Sequence, residues 1–170
     1  PSAFRYPRGE GVGVKISDVP EIWKIGKGKI IKQGSKICIL SLGTRLADSL
    51  QASDILASYG LSTTVADARF AKPIDTELIT KLASTHEIMI TVEEGSIGGF
   101  SAQVMSFLTK EGLLDNNLKF RPLFFPDTFI PHGKPDIQND ICGITSNQII
   151  DCALKVLGIP NQSKESRETA

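Results

Sequence analysis

The stretch Lys36-Ile37-Cys38-Ile39-Leu40-Ser41-Leu42, closed by Gly43, constrains the fold more than any other feature of this chain. A near-continuous apolar run has no polar face to offer water. It predicts a strand covered on both sides, as helices cover a parallel sheet. The next segment supplies such a cover. Residues 44–59 read as a helix with Leu46, Leu50, Ala52, Ile55, Leu56 and Ala57 on a broad apolar arc. Gln51, Asp54 and Ser58 form the narrow polar face, and Gly60 is placed to end the helix in the left-handed conformation.

The alternation then repeats. Residues 61–66 form a β-branched strand pattern that stops at Asp67. Asp75 is a good N-cap for a helix reaching about Ala83, and Glu77 in its first turn suits the helix dipole. A third strand, residues 88–92, runs into Glu93-Glu94-Gly95. After Gly98-Gly99 a helix begins with Phe100, Val104, Phe107 and Leu108 on one face. Residues 119–125 make a fourth strand. The last helix opens on the capping box Thr145-x-x-Gln148 and buries Ile149, Ile150, Ala153, Leu154 and Leu157. Gly158 and Pro160 end it. Strands and helices in strict alternation predict an α/β fold: a three-layer α/β/α open, mostly parallel sheet with right-handed crossovers, spanning residues 36–160. Residues 15–35 read as a Gly- and Lys-rich linker with a short extended segment at 29–32. The polar tail 161–170 is expected to be disordered.

Composition narrows the function. Lys plus Arg number 19 and Asp plus Glu number 19, so the balance of charge favours neither nucleic acid nor an anionic membrane as partner. No run approaches the roughly 20 apolar residues of a membrane span. The three cysteines are odd in number, and Cys38, Cys142 and Cys152 fit a reduced, cytoplasmic protein better than a disulfide-built one. His86 and His132 stand alone, without metal-ligand spacing. The chain opens Pro1-Ser2-Ala3-Phe4 without an initiator Met, which reads as the C-terminal piece of a larger enzyme.

Ligands of open α/β sheets bind beyond the carboxyl ends of the strands, and candidate groups fall there. In Arg5-Tyr6-Pro7-Arg8-Gly9, two guanidiniums suit a phosphate or carboxylate, or are ordinary surface arginines. In the loop Asp67-Ala68-Arg69-Phe70-Ala71-Lys72-Pro73, the charges bind an anion, hold a subunit contact, or pair with each other. The turn Glu93-Glu94-Gly95-Ser96-Ile97-Gly98-Gly99 resembles a phosphate cradle at a helix N-terminus, but two carboxylates repel phosphate. Close packing of helix on strand is the other reason for its glycines. Neighbours on one strand point to opposite faces, which argues against shared acid–base duty for Glu93 and Glu94. His132 is an acid–base group or a structural and interface residue. No Gly-x-Ser-x-Gly elbow occurs.

Taken in order, the motifs resemble one family. They are RYPRG at 5–9, IGKG at 25–28, LGT at 42–44, DARFAKPID at 67–75 and HE at 86–87. TVEEG at 91–95, GG at 98–99, PD at 126–127 and HG at 132–133 complete the series. Residues 1–158 resemble the C-terminal part of the 1-deoxy-D-xylulose-5-phosphate synthase family of transketolase-type enzymes. Ser101 departs from the family's usual Gly-Gly-x-Gly. The resemblance implies a homodimer that uses thiamin diphosphate and magnesium. Such an enzyme condenses pyruvate with glyceraldehyde 3-phosphate, loses carbon dioxide, and supplies isoprenoid, thiamin and pyridoxal synthesis. The cofactor carries the carbanion chemistry. The family's diphosphate-and-metal site carries a GDG sequence, which this chain lacks. Residues 1–14 would then close the central, pyrimidine-binding domain, and the present chain would hold no catalytic or cofactor-binding residue. By the same resemblance Arg8 matches the position that binds the phosphate of glyceraldehyde 3-phosphate, with Arg5 a weaker counterpart. Asp67, Arg69, Glu94, Gly98, Gly99 and His132 would serve packing and subunit contacts. Transketolase proper and the β part of a 2-oxo acid dehydrogenase decarboxylase end in the same kind of domain. A non-catalytic interaction domain is the alternative of another class.

Overall fold

The computed structural model describes residues 1–4, 6, 13 and 17–161. Arg5, Arg8 and residues 162–170 lie outside them. Within them, the apolar run forms β2 (Ile37–Leu42), with Ile37 to Ser41 fully buried. It sits at the centre of a five-stranded sheet. On one side is β3 (Thr63–Asp67), and on the other β4 (Ile88–Ser96) followed by β5 (Lys119–Phe125). These four strands run parallel. The extended segment expected at 29–32 is β1 (Lys29–Lys32), which caps the far edge antiparallel to β3. Its lysines, Lys29 exposed and Lys32 half-buried, suit an edge that must not recruit another strand.

Alternate residues of β2 feed two cores. Ile37 and Ile39 face α1 (Leu46–Ser58) and α5 (Ser146–Leu157), where Leu56, Ile149 and Leu154 pack. Cys38 and Leu40 face α2 (Thr76–Thr85) and α3 (Phe100–Lys110), with Ile79, Leu82 and Val104. The predicted three-layer α/β/α architecture is the observed one.

Three local features differ from the sequence reading. Ile55 is 38% exposed and Ala57 lies outside the core; Ser49 and Ser53 are buried in their stead. Both serines remain satisfied, donating back to the carbonyls of Arg45 at 2.8 Å and Leu50 at 2.7 Å. A further short helix, α4 (Pro135–Ile141), precedes α5 and has no counterpart in the sequence reading. A 3₁₀ turn, Gly43–Arg45, also joins β2 to α1 and takes the first residues expected of that helix.

Candidate functional site

Strand order fixes where a ligand would sit. From β2 the chain crosses to β3 on one side, and from β4 to β5 on the other. The two connecting helices, α1 and α3, lie on opposite faces. The crevice of an open α/β sheet therefore opens between the carboxyl ends of β2 and β4. Here that crevice is bridged by the chain itself. Arg45, just after β2, donates from Nη2 to Glu94 Oε1 at the end of β4, at 2.9 Å. Its Nη1 holds Asp48 Oδ2 at 2.9 Å. Asp48 Oδ1 in turn accepts the backbone N–H of Ser146 at 3.2 Å, the first residue of α5. Glu94 thus faces a partner across the crevice.

Glu93 points the other way, as alternation along a strand requires. It is 4% exposed and turns its carboxylate into the start of α3. Oε2 accepts from Phe100 N at 2.9 Å. Oε1 accepts from Ser101 N at 2.8 Å and from Ser101 Oγ at 2.7 Å. The glycines make room for this carboxylate: a Cβ on Gly95 or Gly99 would lie 2.5 or 2.6 Å from Oε2. Gly98 answers a different need, with φ of +89° in the turn. The helix N-terminus that a phosphate would occupy in the cradle reading is accordingly filled by an internal anion. Ser101, the departure from the family pattern, adds a hydroxyl donor that glycine lacks, and α3 begins tightly at Phe100.

The same device recurs at α2. Asp75, 8% exposed, accepts from Leu78 N at 3.1 Å and caps the helix. Its second oxygen takes Gly28 N–H at 3.0 Å, and Lys27 reaches Glu77 at 2.6 Å. Gly26 packs on Pro73, where a Cβ would lie 2.8 Å from the ring. The Lys72–Pro73 bond is cis. IGKG and DARFAKPID are therefore two halves of one joint. The N-termini of α2, α3 and α5 each hold a carboxylate of this chain, the arrangement that a helix dipole favours.

Asp67 and Arg69 come together, with Nε 3.7 Å from Asp67 Oδ2 and Asp67 Oδ1 accepting Arg69 N–H at 3.0 Å. His132 lies exposed in the loop after β5. His86 is instead buried, its Nε2 2.7 Å from Thr64 Oγ1. Burial pushes the Cys38 thiol pKa well above its ordinary value. A shallow concavity on α3 lined by Ile74, Ala102, Gln103, Ser106, Phe107 and Lys110 offers one titratable side chain and no acid–base pair. Among the described residues no three His, Cys, Asp or Glu side chains converge as metal ligands. No helix of the described residues is long and apolar enough to cross a membrane.

Sequence reading missed Arg45, Asp48 and the second duty of Asp75. For Glu93 a signal existed: an acidic residue ahead of paired glycines, with a hydroxyl two positions beyond them.

An open, mostly parallel sheet flanked by helices, with its switch-point crevice bridged by Arg45 and Glu94, defines an α/β domain. Residues 26–149 match the family model "Transketolase, C-terminal domain", and the chain belongs to that family. A split-gene transketolase, in an inactive beta4 tetramer, is similar at 28% identity and a TM-score of 0.73, over 85% of this chain and 48% of that one. A transketolase mutant from Pichia stipitis shares the fold, with 17% identity and a TM-score of 0.56, over 76% of this chain and 18% of that one. The chain spans about half the length of the first and under a fifth of the second.

Proposed function

We propose that this chain is the C-terminal domain of a 1-deoxy-D-xylulose-5-phosphate synthase. The parent enzyme would condense pyruvate with glyceraldehyde 3-phosphate, with loss of carbon dioxide, on thiamin diphosphate and magnesium held by chain outside this domain. The ordered motif series from RYPRG through DARFAKPID to HG carries the reading. In it the domain is architectural and supports a homodimer. The bridging of its crevice by Arg45 and Glu94, together with the self-liganded helix ends, supports that role. The tetramer described for the split-gene relative is in keeping with assembly through such a domain.

The test is an assay of the complete enzyme with pyruvate and either glyceraldehyde 3-phosphate or a ketose donor. Carbon dioxide release with the triose phosphate supports the proposal. Ketol transfer without decarboxylation would assign the domain to transketolase proper. Arg8→Ala in the same enzyme removes a charge-assisted phosphate contact, and it should cost about 2–3 kcal/mol in kcat/KM for the triose phosphate. An unchanged KM for that substrate removes Arg8 from the site.

A further inference from the structure

Outside the crevice, the segment ahead of β1 combines strain, burial and exposure in an unusual way. Arg69, at the carboxyl end of β3, is a non-glycine residue at φ of +58°, in the left-handed region. Such a conformation persists only where its surroundings hold it. Asp67 holds it from below through the backbone N–H, and the segment 19–25 holds it from above. The Arg69 guanidinium carbon lies 4.3 Å from the Trp23 ring centroid, and its side chain is 10% exposed. Glu21 sits between Arg69 at 3.9 Å and Lys29 at 3.7 Å. These contacts are long, and Arg69 Nε is buried without a hydrogen-bond partner.

Among the described residues little else holds the covering segment down. Val19 is 79% exposed, Ile22 92% and Ile25 79%, so none of them enters either core. Firm attachment begins only at Gly26, which turns at φ of +69° on Pro73, and continues through Lys27 and Gly28 onto Glu77 and Asp75. A segment lacking buried apolar contacts opens at far lower cost than the fold it lies on.

We propose that residues 19–25 form a latch over Arg69 that opens about Gly26 without unfolding the domain. Closed, it stacks Trp23 on Arg69. Open, it uncovers a guanidinium at the carboxyl end of β3. The stack couples the two, because Trp23 cannot leave without exposing Arg69.

The chain's one tryptophan is Trp23, so its fluorescence reports the latch directly. Acrylamide quenching is measured on the 170-residue chain and on Arg69→Gly, which relieves the backbone strain while removing the clamp. Trp23 is 50% exposed, so release should raise the quenching constant about twofold, with the far-UV melting midpoint unchanged or higher. Glu21→Gln should give part of that rise. About 1 M NaCl should raise quenching in the native chain by screening the long ionic contacts. Equal quenching in native and Arg69→Gly chains overturns the proposal. So does a rise seen only alongside loss of helical signal, in Arg69→Gly or in Glu21→Gln.

Discussion

Removing the Glu93 carboxylate tests the claim that the glycine turn binds an internal anion. Glu93→Ala leaves three donors without their acceptor: Phe100 N, Ser101 N and Ser101 Oγ. A buried donor left unpaired costs about 1–3 kcal/mol. The turn at Gly98 is open to water, so partial rehydration brings the total to about 3–4 kcal/mol rather than the sum of the upper values. For a domain of this size that lowers Tm by about 10 °C.

A second substitution separates this mechanism from general damage. Gly95→Ala puts a methyl group 2.5 Å from Glu93 Oε2. The carboxylate is pinned by its hydrogen bonds and cannot swing aside, so overpacking costs about 1–3 kcal/mol. In the Glu93→Ala background the obstructing oxygen is gone, and the methyl group should be accepted at little cost. The double-mutant cycle should therefore show a coupling of at least about 1 kcal/mol by urea denaturation. Additivity to within about 0.5 kcal/mol would refute the reading, because the glycine would then be needed for something other than the carboxylate.

Three further outcomes follow from single sites. Asp75→Ala removes the α2 cap and the Gly28 contact together, which should cost about 2–3 kcal/mol in urea denaturation; Asp75→Asn, keeping one acceptor, should cost about half as much. Glu87 accepts from Lys119 at 2.7 Å and pairs with Lys36 at 3.1 Å, and these ammoniums hold its pKa below the ordinary carboxylate value. The stability it contributes is present above the unfolded value of about 4.3 and is lost as pH falls through the folded value. Glu87→Gln should thus flatten the acid limb of the stability–pH curve, and more so at low salt. Cys38, fully buried with its thiol pKa raised, should react with a thiol reagent only at the rate of global unfolding, while half-buried Cys152 reacts faster. Equal rates for the two in native buffer would contradict the burial of β2.

The sequence disclosed what local rules govern. The apolar run 37–42 read as a doubly covered strand and is one, and Thr145 with Gln148 announced α5, whose Gly158 closes it at φ of +68°. Helix α4 escaped because its apolar residues serve no core: Ile137 is 57% exposed and Ile141 55%. Ser49 and Ser53 escaped because a hydroxyl that bonds the preceding turn is buried as readily as a methyl group, which a polarity pattern cannot register.

The site divides along the same line. Asp67 and Arg69 are two residues apart, and their pairing was among the readings the sequence offered. Arg45 and Glu94 are joined only because β4, and not a later strand, lies beside β2. No local pattern encodes that neighbour relation, since β2 to β3 and β3 to β4 are alike strand–helix–strand units. Once strand order is known, the consequence is forced. The loop after β2 and the end of β4 must meet at the switch point, and any charges they carry must be paired there, liganded, or hydrated. In this chain they are paired, with Asp48 extending the bridge to the start of α5. At the crevice that the topology creates, these contacts tie together the ends of β2 and β4 and the start of α5.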